Sequence, residues 1–271
     1  MHRGDPAPAA VIRVLLPGPC RAAVSLFTVI PVPGGGDIGA ARARVVLWLP
    51  AVGALLAVPA AGLLLAVEAG QHAAVRRLLA AALAIAVLAV LTGGLHLDGL
   101  ADCADGLGSR RPRAEALAIM RRPDIGPFGV VALVFVIIGQ ISALAAIPAG
   151  PPAAAGLLLA VLTGRVCVVL ATGPAFPPAR QDGLGTLVAG GTSARARAAW
   201  TAVLLAAACG AAAASAGAAV LTVGATIAGL LAGLLVCRAA MRRLGGLTGD
   251  VYGAVVELST AAVLLVLAAF G

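Results

Sequence analysis

Apolar positions along the chain gather into runs long enough to cross a bilayer. A helix needs about 20 apolar residues to span the ~30 Å hydrocarbon layer. Seven runs qualify, at residues 45–67, 78–95, 127–147, 153–172, 198–216, 218–237 and 254–270. The pattern predicts an all-α fold, a polytopic integral membrane helical bundle of about seven transmembrane helices. Residues 9–30 are apolar too, but Arg13, Pro17, Pro19 and Arg21 interrupt them, which suits an N-terminal interfacial or re-entrant segment. No small-residue cleavage site follows a clean apolar stretch, so a signal peptide is not expected. No linker-like stretch divides the chain, and residues 1–271 read as a single integral domain. Small residues spaced four apart, such as Gly229 and Gly233, would let helix backbones approach closely in lipid.

The polar positions between the runs orient the bundle. One set of connections carries sixteen arginines, from Arg3 to Arg44, Arg110 to Arg122, Arg180 to Arg197 and Arg238 to Arg243; the opposite set carries only Arg76 and Arg77. Arg165 alone lies within a run. Cytoplasmic loops carry the positive excess, which, for a chain expected in a bacterial inner membrane, places the N-terminus in the cytoplasm and the C-terminus outside. Ten of the eleven acids fall on the arginine-rich side, Glu68 being the exception. Chemistry is therefore expected at the cytoplasmic face.

Composition agrees with this picture: 61% of residues are hydrophobic, 11% are charged, and mean hydropathy is +1.07. A soluble core cannot hide that much apolar surface. The net charge of +8 comes from arginine alone, as there is no lysine. The arginines form no aromatic-interleaved patch, so anionic lipid or a phosphorylated substrate is expected rather than nucleic acid. Cys20, Cys103, Cys167, Cys209 and Cys237 match no disulfide framework and no zinc spacing.

Where the second run ends, Asp98, Asp102 and Asp105 stand at i, i+4 and i+7. At about 100° per residue the three fall within about 60° of arc, on one helix face. Three like charges so close repel unless a cation neutralises them. Hard carboxylate oxygens favour Mg²⁺ or Mn²⁺ over zinc, with water and substrate phosphate completing the shell. The bland alternative is a solvated acidic helix end, against which stands the scarcity of acids in the chain. His96 faces roughly away from the acids, as a packing or interfacial residue would.

A second acidic pair, Asp250 and Glu257, is seven apart and so shares a face leading into the last run, with Gly249 and Gly253 leaving room for a substrate or a helix. An ionisable group two turns into a span faces a polar cavity with a partner. Arg165 suits pairing with one of these acids or contact with a phosphate. Two loops pair arginine with glycine in the manner of phosphate clamps, Arg121 with Gly126 and Gly129, and Arg180 with Gly183 and Gly185. Positive-inside anchoring explains their arginines equally well.

The segments 94–106 (GLHLDGLADCADG) and 245–258 (GGLTGDVYGAVVEL) closely resemble the cobalamin synthases, or adenosylcobinamide-GDP ribazoletransferases. Supporting likenesses are 25–33 (SLFTVIPVP), 49–53 (LPAVG), 116–129 (ALAIMRRPDIGPFG), 163–165 and 182–185, in family order. The resemblance implies an integral membrane enzyme using Mg²⁺, which moves the cobinamide phosphoryl group from adenosylcobinamide-GDP to α-ribazole or α-ribazole 5′-phosphate and releases GMP. It also implies that Asp98, Asp102 and Asp105 bind the metal and that Asp250 and Glu257 form the C-terminal acidic motif. Where the family commonly has Asp then Arg, this chain has Arg122 then Asp124, and it has Val29 in place of a basic residue.

In that chemistry a ribose hydroxyl attacks the phosphorus bearing the corrinoid arm. Metal held by the aspartates would neutralise the growing charge, and Asp105 or Asp250 could accept the hydroxyl proton. Two rivals remain open. A CDP-alcohol phosphotransferase has a similar aspartate helix, although this chain lacks that family's AR pair and second aspartate run. A transporter would use intramembrane Arg165 and Glu257, although no internal repeat is found. With the cobalamin-synthase resemblance goes the expectation of a homo-oligomer, or of association with other enzymes of cobalamin synthesis.

Overall fold

In lipid, every backbone N–H and C=O must find its partner within the chain, and the apolar runs do so as α-helices. The computed structural model describes residues 17–33, 42–69, 73–210 and 216–271. Residues 9–16 of the N-terminal segment and 211–215 of the fifth run lie outside them. Twelve helices occur among the described residues: α1 (Gly18–Phe27), α2 (Arg42–Val45), α3 (Leu49–Glu68), α4 (Ala73–Leu91), α5 (Leu95–Gly108), α6 (Arg113–Ile119), α7 (Pro127–Ala146), α8 (Pro151–Ala171), α9 (Leu184–Val188), α10 (Ala194–Gly210), α11 (Ala216–Leu244) and α12 (Gly249–Phe270). No strand forms among the described residues; the β pairing there is one isolated parallel bridge, Pro178 with Leu247.

Among the described residues five helices are long and apolar enough to cross a membrane, α3 with its leading 3-10 turn, α7, α8, α11 and α12, or six if the bent pair α4–α5 is one broken span. The two remaining runs of the expected seven, at 78–95 and 198–216, take the following form. The run at 78–95 stops at Leu91, where Gly93 and Gly94 adopt positive φ of 60° and 74°. The Gly94 N–H closes the helix end by donating to the Ala89 carbonyl at 2.8 Å, and α5 departs at 89° to α4. The run at 198–216 lies in α10 as far as Gly210, its residues 211–215 being outside the described ones, and the first turn of α10 holds Arg195 and Arg197. α1, with ten residues, is too short to cross and buries Ala22, Ala23, Val24 and Phe27 against the start of α3.

α12 is the hub, packing against α11, α8, α5 and α7, while α8 also meets α3, α10 and α11. Small residues set these distances: a Cβ on Gly164 would stand 2.7 Å from the Val256 carbonyl, and one on Gly229 would stand 2.6 Å from Val263. Around this core, Val58, Phe135, Val220 and Leu235 are more than 60% exposed, an outward apolar surface that only lipid would cover. At one end of the bundle the Glu68 carboxylate accepts the Gly150 N–H and Arg77 donates to the Ile147 carbonyl. The other end carries α5, α6, α9 and the loops between them.

Candidate active site at the acidic helix crossing

α5 reaches α12 through two glycines. A Cβ on Gly99 would lie 2.8 Å from the Asp250 carbonyl, and one on Gly253 would lie 2.9 Å from the His96 carbonyl. This contact brings together two motifs some 150 positions apart. Thr248 caps α12, accepting the Val251 N–H and donating to Asp250 Oδ2 at 3.1 Å. Asp250 thus stands at the mouth of α12 within electrostatic reach of Asp98, and Asp102 feels the charges of Asp98, Asp105 and Asp250.

Two cavities meet at this crossing, with Asp98 in the lining of both. The inner one, of about 210 Å³, is walled by Arg180, Asp182, Gly183, Gly185, Thr248, Gly249, Asp250, Tyr252 and Gly253. The outer one, of about 560 Å³, is walled by Asp102, Arg122, Asp124 and apolar side chains including Leu26, Leu97 and Leu133. Asp105 lines neither cavity. It is 7% exposed, and its oxygens accept the N–H groups of Gly126 at 2.7 Å and Gly129 at 2.9 Å. The backbone donors that the sequence offered as a phosphate clamp are therefore spent inside the protein.

The two arginine loops meet one another. Arg121 Nη2 donates to both oxygens of Asp182, at 2.6 and 2.8 Å, on the exposed surface, so Arg121 is neutralised outside the cavities. Arg180 turns inward, donates to the Leu117 carbonyl and comes within 3.8 Å of Asp250. Burial lowers the pKa of its guanidinium and the Asp250 carboxylate opposes that fall. A Cβ on Gly185 would lie 2.8 Å from the Leu247 carbonyl, so this loop seats against the start of α12.

Arg165 and Glu257 lie one layer deeper, around a cavity of about 20 Å³ that His96 and Gln140 also line, room for about one water. The two charges attract one another. Glu257 takes its hydrogen bond from Gln140 Nε2 at 2.8 Å, and the Arg165 stem lies where a Cβ on Gly53 would stand, 3.0 Å away. His96, on the aspartate helix but facing inward, connects the two layers, as it lines both the inner and the buried cavity.

Gln140, Thr248 and Asp182 were not singled out from sequence. Gln140 had a signal, as a lone amide in an apolar run, and so did Thr248, two before an aspartate at a helix start. Asp182 begins the 182–185 likeness, but its pairing with Arg121, 61 positions away, had no signal. Among the described residues no three His, Cys, Asp or Glu side chains converge into a ready-made metal cage. The donor set around Asp98 is nonetheless all carboxylate, and Mg²⁺ binds through one or two carboxylates with water and phosphate, so Asp98 with Asp102 fits such an ion.

The fold and site together define a class: a multi-pass α-helical membrane protein with an acidic, arginine-flanked centre at one end of its bundle. A family model described as cobalamin-5-phosphate synthase matches residues 19–268, and the chain belongs to that family. It is 38% identical to the adenosylcobinamide-GDP ribazoletransferase of Frankia casuarinae, over 92% of this chain and 93% of the relative. It is 39% identical to that of Bradyrhizobium diazoefficiens over the same shares, and 41% identical to that of Stutzerimonas stutzeri over 84% of this chain and 87% of the relative. No solved structure matches the chain.

Proposed function

We propose that this chain joins adenosylcobinamide-GDP to α-ribazole, or to α-ribazole 5′-phosphate, with release of GMP, as a Mg²⁺-dependent transferase of the bacterial inner membrane. The observation that carries the reading is the glycine crossing of α5 and α12, which gathers Asp98, Asp102 and Asp250 around two adjoining cavities. A transferase with two large substrates needs two adjoining spaces and one shared wall where the reacting atoms meet.

A hydroxyl oxygen of the acceptor forms a bond to the phosphorus that bears the corrinoid arm, and the diphosphate P–O bond to GMP breaks. The hydroxyl proton passes to a carboxylate, for which Asp250 is placed: it lines the inner cavity and is steadied by Thr248. Arg180, in the same wall, offers its guanidinium to phosphate oxygens, and the backbone at Gly183, Gly185 and Gly249 lets a diphosphate approach closely. Asp98 and Asp102 would hold Mg²⁺, which when bound neutralises charge on the diphosphate. Arg165 and Glu257 support the site from beneath, through His96 and the start of α12. On the arginine distribution, this end of the bundle faces the cytoplasm.

Purified protein in lipid, given adenosylcobinamide-GDP, α-ribazole and Mg²⁺, should release GMP in step with corrinoid product, and chelation of Mg²⁺ should stop both. GMP release unaffected by chelation would refute the metal role. Turnover of CDP-diacylglycerol in place of adenosylcobinamide-GDP would assign the site to lipid phosphoalcohol chemistry instead.

A further inference from the structure

Asp98, Asp102 and Asp105 share one face of α5 yet have different neighbours. Gly126 is the N-cap residue of α7, and the structure gives that cap no side-chain hydrogen bond of its own. An N-cap side chain ordinarily accepts an N–H from the first turn that follows. Gly126 has no side chain, and Asp105 does this work from a neighbouring helix, accepting the cap N–H and the N–H of Gly129 three residues on. Pro127 between them has no N–H to satisfy. The carboxylate also meets the positive end of the 20-residue α7.

Glycine is required at both contacts. A Cβ on Gly126 would run into the Asp105 carboxylate, and one on Gly129 would stand 2.5 Å from Oδ2. Residues 122–125, immediately before the cap, form the wall of the outer cavity opposite Asp98 and Asp102. The bracket therefore ties that wall to the helix that carries the other two acids.

We infer that Asp105 is a positioning residue: it caps α7 from α5 and so sets the 122–125 wall against Asp98 and Asp102, instead of ligating metal or accepting a proton. The kinetic arm of its test rests on the transfer reaction proposed above; the structural arm does not. Amide hydrogen exchange at residues 126–129 of the purified, metal-free protein should speed up by about tenfold or more in Asp105→Asn and stay unchanged in Asp98→Asn. In turnover, Asp105→Asn should raise the KM for one substrate by about tenfold while the Mg²⁺ concentration for half-maximal rate stays within about twofold of the parent. Asp98→Asn should shift that concentration. Gly126→Ala breaks the same bracket while keeping aspartate at 105 and should reproduce the faster exchange and the raised KM, with the double variant no worse than the more severe single.

Unchanged exchange in Asp105→Asn overturns the inference, and so does a Mg²⁺ requirement shifted as in Asp98→Asn. If Asp105→Asn gives no folded protein, Gly126→Ala decides: parental exchange and parental KM there overturn the bracket. If no transfer reaction is found, the exchange result still decides the capping role.

Discussion

Exchanging Asp98, Asp102 or Asp250 for Asn keeps the side-chain shape and removes the charge. If these carboxylates hold Mg²⁺ and handle the proton, each change should lower GMP release by at least about a hundredfold, the loss of ~3 kcal/mol of transition-state stabilisation. Near-parental rates in all three variants would defeat the assignment. The deeper charges make a different expectation. A buried ion stripped of its partner costs about 3–5 kcal/mol, so Glu257→Gln is the mildest probe there, since its carbonyl oxygen can still accept from Gln140 Nε2. It should retain detergent-stable yield and lose turnover. If Arg165 and Glu257 were only structural, replacing both by apolar residues would restore the activity that either single change removes, and a rescued double variant would refute their part in the site. At this scale the sequence showed which side chains carry charge in an apolar setting, but not their partners. Arg165 suited pairing with Asp250 or Glu257, or contact with a phosphate; the structure sets its charge against Glu257, and the hydrogen bond that Glu257 accepts from Gln140 had no counterpart in that reading.

The crossing of α5 on α12 depends on having no side chain at Gly99 and Gly253. Alanine at either position forces the helices apart, and overpacking of this kind costs about 1–3 kcal/mol. Gly62 in α3 and Gly224 in α11 have nothing within 4 Å of a built Cβ, so alanine there should be neutral or stabilising by about 0.5–1 kcal/mol. Thermal unfolding in detergent should separate the two pairs, with Gly99→Ala and Gly253→Ala alone losing both stability and GMP release; equal behaviour of all four would show that the crossing does not hold the site. Element identity was largely legible, because 3.6-residue helices are the only continuous way through lipid for this chain. Ends and directions were not. The run read as continuous to residue 95, whereas the positive φ of Gly93 and Gly94 ends α4 at Leu91 and α5 leaves at 89°. α11 runs on to Leu244, past the apolar run ending at residue 237, because Arg238, Arg242 and Arg243 mark the edge of the hydrocarbon and not the end of the helix.

Seen whole, the bundle has two unlike ends. α11, with 29 residues, is about 44 Å long at 1.5 Å per residue, more than the hydrocarbon layer requires, and its last turn carries Arg242 and Arg243 at the same end as the acidic crossing. The opposite end is closed by short contacts of Glu68 and Arg77 with the loop between α7 and α8. Positive charge is retained on the cytoplasmic side during insertion, so the site should face the cytoplasm. Labelling with an impermeant thiol reagent tests this without reference to activity. Four natural cysteines are buried and Cys209 is exposed, so Cys209→Ser gives a quiet background. Gln181 and Ala149 are exposed, one in the loop beside Arg180 and the other in the loop between α7 and α8. Gln181→Cys should label only after the membrane is permeabilised, and Ala149→Cys should label in intact cells. The reverse pattern would invert the bundle and place the acidic crossing outside, where phosphorylated cytoplasmic substrates could not reach it.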